Sequence, residues 1–294
     1  LPLAVLCATG QHFMNKTTTL RLMGLLFGLW LVINPAFASF NKNLWPLWEI
    51  NNPLSTQTIS HEHWQIFLNT RVITNEEDIN LIDYANIKDA DIRLLKNYID
   101  DMSKININSF NRAEQLAYWI NLYNAITVHT IASYYPVSSI EDINISPGLF
   151  SIGPWGAKLV IVNKTSLSLD EIQNRIIRPI WNDARTHYAM NNGSIGAPNL
   201  SRKAYLGTTL EKQLNEAATA YINSLRGVQV IEGKLIVSKL YEWFSEDFGS
   251  SKQNIIIHLK QFAKEPLINQ LKHVNTIDNY IYNWHLNSTV PKST

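Results

Sequence analysis

The chain has 294 residues, 25 basic and 24 acidic side chains, 46% hydrophobic residues and a single cysteine. So even a balance lacks the electrostatic footprint of a nucleic-acid binder, and no basic run supplies one locally. A chain this long and this apolar can bury a large core without disulfide support.

The first segment reads as an export signal. From Met14, Lys16 and Arg21 make a short basic region, LMGLLFGLWLVI an apolar run, and Ala36-Phe37-Ala38 an A-x-A cleavage site. Residues 1–38 are therefore assigned as leader and signal peptide, with 1–13 an over-extended start upstream of the signal. The expected product is exported, periplasmic or extracellular, and keeps no transmembrane span. Lys16 and Arg21 are the only charged residues before Ser39, so the remainder carries 23 basic against 24 acidic residues, a net charge of −1. Cys7 leaves with the leader, which excludes a disulfide, a thiolate nucleophile and a cysteine metal ligand in the mature chain. No Gly/Ser linker, repeat or low-complexity tract divides the mature chain. The expected organisation is an N-terminal arm and first helix over 39–75, a main domain over 76–287 and a disordered tail over 288–294.

Pro46 and Pro53 break regular structure in the arm, whose Trp45, Leu47 and Trp48 are too apolar for a free tail. Ser60 is placed as the N-cap of a helix over 61–73, with Trp64, Phe67 and Leu68 on one face. A short strand comes next, within 79–87, and a helical period resumes over 88–102. The stretch 111–133, NRAEQLAYWINLYNAITVHTIAS, is a long helix capped by Ser109 or Asn111. Its Leu116, Trp119, Ile120, Tyr123, Ile126 and Val128 recur at helical spacing, while Ala117, Leu122, Ala125 and Ile131 fill the other faces. A helix apolar all round is buried or spans a membrane. Asn121, Asn124, Thr127 and His129 interrupt the run too often for a span, so this helix is the expected centre of the core. Asn121 and Asn124 share a face and either clamp a neighbouring backbone or line a pocket with Trp119.

Beyond the loop 136–155, LVIV over 159–162 is a strand ended by a turn at Asn163-Lys164. Residues 169–177 form a helix capped by Ser168 and stopped at Pro179. Residues 184–190 are helical and break into the loop NNGSIGAPNL, 191–200. An amphipathic helix spans 208–225. VQVIEGKLIVS is a hairpin turning at Glu232-Gly233, two helices cover 239–248 and 254–263, and 275–287 closes the chain as a strand. The fold class is α+β: a helix-rich single domain around the buried central helix, with a small, mainly antiparallel sheet.

The blocks FNRAEQLAYWINLYNAITVH, LSLDEIQNRIIRP, THYAMNNGSIGAPNL, KLYEWFSEDF and YIYNWHLN occur in the same order as in domain-of-unknown-function family 547, which the chain resembles over 44–287. The resemblance implies no agreed activity; members occur alone or fused to other modules, which suits an enzyme or an interaction domain. Many members carry cysteines at the positions held here by Asn192 and Ala197, and Glu and often His where this chain has Gln173 and Asn174. If the family's loop cysteine is a nucleophile, this chain has lost it; if the cysteines pair structurally or bind metal, their joint replacement here is what one expects.

The candidate site is the 191–200 loop. Gly193 and Gly196 allow positive φ, consecutive amides there can form an anion nest, and Ser194 lies seven residues after His187. A serine needs an adjacent base to become a useful nucleophile. The loop misses G-x-S-x-G because Asn192 replaces the first glycine. Asp247 is the acid that can orient His187. A zinc site on His61 and His63, with His129 or His187, has no Cys or HExxH support, and no metal or cofactor is assigned. The nine tryptophans and twelve tyrosines are accounted for chiefly as core.

The leading expectation is a ligand- or partner-binding module of the cell envelope without thiol catalysis, taking an unknown small molecule or an envelope protein. The alternatives are a hydrolase or acyl-transfer enzyme using His187 and Ser194 with a glycine-loop oxyanion site, and a structural envelope protein. Pocket-lining positions are Trp119, Asn121, Asn124, Asn192, Gly193, Gly196 and Ala197.

Overall fold

A computed structural model describes residues 42–149 and 151–289. The expected signal peptide and its expected cleavage site lie outside the described residues.

The elements run α1 (Glu62–Arg71), β1 (Val72–Thr74), β2 (Asn80–Ile82), α2 (Asp89–Lys104), α3 (Arg112–Tyr134), β3 (Val160–Val162) and β4 (Thr165–Leu167). Then come α4 (Leu169–Glu171), a π-helical turn (Ile172–Ile177), α5 (Arg178–Trp181), α6 (Thr186–Ala189) and α7 (Leu210–Ile222). The chain continues through β5 (Val228–Ile231), β6 (Lys234–Ser238), α8 (Leu240–Trp243), α9 (Lys252–Phe262), α10 (Leu267–Leu271) and β7 (Asn279–Ile281). The result is the helix-rich α+β class. β1–β2 and β3–β4 are antiparallel pairs, and a third sheet is ordered β5-β6-β7, with β5–β6 antiparallel and β6–β7 parallel.

The central helix α3 is buried from Glu114 to Val128 on every face. Asn111 caps it, accepting from Glu114 N at 3.0 Å, while Ser109 lies outside in a 3₁₀ segment. Around α3 pack α1, α2, the β3–β4 hairpin and the π-helical turn, with Trp48, Trp64, Tyr98, Leu122 and Ile176 in one apolar cluster. A second cluster surrounds Tyr188, Tyr221, Tyr241 and Phe248, between α7, the β5–β6 hairpin and α9. The arm is sewn to the start of α3: Ile59 N donates to Glu114 Oε1 at 2.6 Å, Asn52 N to Phe110 O at 3.0 Å, and Gln115 Nε2 to Ile50 O at 2.9 Å.

Five local expectations are corrected. Ser60 is not the N-cap of α1; His61 holds that place, and Ser60 Oγ reaches only Glu62 N, at 3.4 Å. The helix also ends at Arg71 because the β-branched Val72 and Ile73 enter the ladder with β2. The turn expected at Asn163-Lys164 is there. Both residues have positive φ, 46° and 63°, the geometry of a tight hairpin turn, and β4 pairs back on β3.

Pro179 does not stop its helix, which continues to Trp181 and ends at Asn182 in the left-handed region. A proline removes one intrahelical donor and so leaves a carbonyl one turn back without its partner. Here the arm supplies donors to that turn: Asn43 N to Asn174 O at 3.1 Å and Trp45 N to Arg175 O at 3.0 Å. The widened π turn fits the same defect. Finally, only Asn279–Ile281 of 275–287 is strand. The tail expected to be disordered begins in order, since Thr289 N donates to Ile82 O at 3.1 Å and Ser288 bridges Ile82.

Candidate functional site

His187 sits on α6, buried between the rings of Phe244 at 4.3 Å and Phe248 at 5.5 Å. Its Nε2 lies 2.7 Å from Asp247 Oδ2, which also accepts from Arg178 Nε at 2.5 Å, while Lys42 Nζ stands 2.7 Å from Oδ1. Burial alone would raise the Asp247 carboxyl. Hydrogen bonds from His187 and Arg178, with Lys42 beside them, instead hold it well below the usual carboxylate range. Burial lowers His187, and the Arg178 and Lys42 cations add to that against the pull of Asp247. The imidazole is therefore neutral, with its proton assigned to Nε2 because an ionised carboxylate only accepts. Asp247 meets His187 as the sequence suggested. Arg178 and Lys42 were missed, although an arginine set among Ile176, Ile177, Pro179 and Ile180 signals a cation that folding must bury and pair.

Ser194 is held elsewhere. Its Oγ donates to Asn192 Oδ1 at 2.7 Å and lies 2.9 Å from Tyr282 Oη, which also accepts from Asn192 Nδ2 at 2.8 Å. Among the described residues no hydrogen bond joins His187 to Ser194. The two candidate catalytic residues have separate partners.

The loop between them is saturated. Gly193 N donates to Asn191 Oδ1 (2.8 Å), Ser194 N to Asn192 Oδ1 (3.2 Å), Ile195 N to His285 O (2.7 Å), Gly196 N to Asn283 O (2.8 Å) and Ala197 N to Ser194 O (3.2 Å). Its carbonyls are equally engaged: Tyr221 Oη donates to Gly196 O at 2.7 Å, and Arg226 Nη1 to Ala197 O at 2.9 Å and Ile195 O at 3.2 Å. None of these amides is left to stabilise an oxyanion, because the loop fastens 283–287 to the domain. Gly193 has φ +82°, and a Cβ there would meet Ile131 Cδ1 at 2.2 Å. Gly196 lacks the anticipated positive φ; close approach to Asn283 N, at 2.7 Å from its would-be Cβ, excludes a side chain instead.

Tyr282 opens onto an aromatic cluster that the sequence did not separate from the core. Trp243 and Trp284 stand 4.7 Å from the Tyr282 ring, and Trp155 stands 5.7 Å from Trp284. All four are half-buried, whereas Trp48, Trp64 and Trp119 are core residues. Burial pushes the Tyr282 hydroxyl up to about 12, against the hydrogen bonds from Ser194 and Asn192. Asp170, whose amide donates to Trp155 O at 3.0 Å, has no side-chain hydrogen-bond partner among the described residues. Burial, then the neighbouring Glu171, raise it to about 6.

The remaining sequence candidates lie deeper. Asn121 grips Tyr205 by both backbone groups, at 2.8 and 2.9 Å. Asn124 joins Ala189 O to Asn191 N, at 2.9 and 2.8 Å, and so sets the start of the glycine loop. Trp119 packs edge-on to Trp48 and Tyr118. His61 is bonded to Tyr98 and His63 faces Asp101 at 3.7 Å. Among the described residues no three His, Cys, Asp or Glu side chains converge as metal ligands, and no helix is long and apolar enough to cross a membrane.

Residues 107–222 match the model of the family described as "Protein of unknown function, DUF547". No curated protein and no solved structure matches the chain.

Proposed function

We propose that this DUF547 chain is an exported binding module of the cell envelope that holds a ring-shaped, hydroxyl-rich ligand, such as a saccharide unit, without covalent chemistry. The carrying observation is the hydrogen-bond set of Ser194. Its hydroxyl is shared between Asn192 and Tyr282, with no imidazole or carboxylate among the described residues to take its proton. An unactivated hydroxyl is a poor nucleophile, and at 1% exposure Ser194 holds Asn192 and Tyr282 in place from beneath. The amide of Asn192, the hydroxyl of Tyr282 and the half-buried faces of Trp155, Trp243 and Trp284 combine apolar surface with a few polar groups, the usual make-up of a binding site. The signal-peptide pattern supports export, and the lack of a cysteine after Cys7 removes thiol catalysis.

Tryptophan fluorescence of the purified protein, titrated with a soluble β-linked N-acetylglucosamine oligomer, tests this. A saturable change that is lost in Trp284→Ala supports the reading. A burst of product from an activated ester that disappears in Ser194→Ala would favour the hydrolase alternative. No response to any oligosaccharide, with no turnover, would leave the structural role.

A further inference from the structure

The aromatic face carries negative charge that its neighbours leave unanswered. Asp170 is tied to it through the backbone: its amide donates to Trp155 O at 3.0 Å, and the Trp155 ring stands 5.7 Å from Trp284. The hydroxyl of the buried Tyr123 is pushed up by burial and then by both Asp170 and Tyr282, so the carboxylate and the Tyr282 hydroxyl lie within electrostatic reach of one group. Glu141 joins the face from the turn 138–142. There Ser138 O accepts from Leu286 N at 2.8 Å, two residues past Trp284, and Glu141 lies within the same reach of Tyr282.

Neither carboxylate has a side-chain hydrogen bond or ion pair among the described residues. Both residues are half-buried, and their carboxylate oxygens keep accessible surface. Two cations of the neighbourhood are already occupied. Lys158 pairs with Glu171 at 2.5 Å, and Arg226 is spent on Ala197 O, Ile195 O and Asn199 Oδ1. The face thus presents aromatic rings and unpaired carboxylates together. Both attract a cation, the carboxylate by its charge and the ring by the negative face of its π system. Aromatic rings offer nothing to a hard metal ion, and no third His, Cys, Asp or Glu among the described residues completes a ligand set with these two. An organic cation fits both features.

We infer, resting on the saccharide reading above, that the sugar held on this face is an amino sugar with a free ammonium group. Its ring stacks on the indoles and its ammonium turns to Asp170, with Glu141 adding to the attraction. An N-acetyl group cancels the charge that Asp170 selects. The acetylated sugar binds by stacking alone, and more weakly, because it takes water from a carboxylate and gives nothing in return.

The test compares a β-linked glucosamine trimer with its fully N-acetylated counterpart, by tryptophan fluorescence of the purified protein. At about pH 6.5 the amine is protonated and Asp170, ionising at about 6, is largely charged. The glucosamine trimer should bind about tenfold more tightly. Asp170→Asn, which keeps the shape and removes the charge, should bring the two trimers to nearly equal affinity, and Glu141→Gln should reduce the difference in part. Equal affinities in the unaltered protein, or a preference that survives Asp170→Asn, would overturn the ammonium assignment and leave the saccharide reading standing. No fluorescence change with either trimer would overturn both.

Discussion

Two buried histidines, His187 and His61, show how differently one residue type can be settled in one fold. Around His187 every charge has an opposite: Asp247 meets Arg178, Lys42 and the imidazole within 2.7 Å. Around His61 one nitrogen is matched and the other has no partner among the described residues. A cluster whose members satisfy one another is a structural device, because moving any of them exposes a buried charge. A buried ring nitrogen without a mate keeps hydrogen-bond capacity that the fold has not used. By this measure His187, the more prominent candidate in the sequence, is held by its neighbours, while His61 keeps one ring nitrogen unpaired among the described residues.

The sharpest way to break the contrast is Asp247→Ala. It takes the closest carboxylate from the buried Arg178 and from Lys42, and should cost about 3–5 kcal/mol in urea unfolding. The matching change at the other histidine, His61→Phe with Tyr98→Phe, removes both partners at once and should stay within about 1 kcal/mol. If the two cost the same, the distinction fails.

Acid should act on the buried imidazoles in one direction. Burial lowers His61 and His258 to about 4 from the ordinary 6.5, and lowers His187 as well. The unfolded chain therefore binds more protons between these values. The stability linked to His61 and His258 is fully present above pH 6.5 and falls away as pH drops toward 4, each by up to about 3 kcal/mol. His61→Phe with Tyr98→Phe should flatten part of that slope in thermal melts taken from about pH 7 to about pH 4. Gly193→Ala tests the strap that the glycine loop forms with 283–287. It needs a positive φ and a Cβ 2.2 Å from Ile131, and should destabilise by about 2–3 kcal/mol.

The smallest expected effect has the opposite direction. Asp170 is raised to about 6, chiefly by burial, so the folded chain holds its proton more tightly than the unfolded one. Its ionisation lowers stability as pH rises from about 4 to 6, and above that the cost is complete. Asp170→Asn should then stabilise the protein in urea unfolding at about pH 7, by about 1–2 kcal/mol, and leave it nearly unchanged at about pH 4. A loss at neutral pH would show that the carboxylate has a partner it depends on.

Much of the frame was legible in local order. The helical repeat of 111–133, the Asn111 cap, the Glu232-Gly233 turn and the asparagine pair as backbone clamps are short-range patterns, set by periodicity, capping and φ preference, and the structure reproduces each. What failed locally failed for tertiary reasons. Pro179 reads as a stop until Asn43 and Trp45, far back in the arm, bring two amides to the π turn beside it. The glycine loop reads as an anion nest until the loop's own Asn191, Asn192 and Ser194 and the backbone at Asn283 and His285 take its amides. His187 and Ser194, close in the chain, read as a pair until Asp247 and Tyr282 claim one each. The sequence alone determined where apolar faces and turns lie, because those depend on neighbours a few positions away. Which donors and acceptors remain unspent was decided by the tertiary structure, because hydrogen-bond capacity is consumed by whichever distant segment arrives.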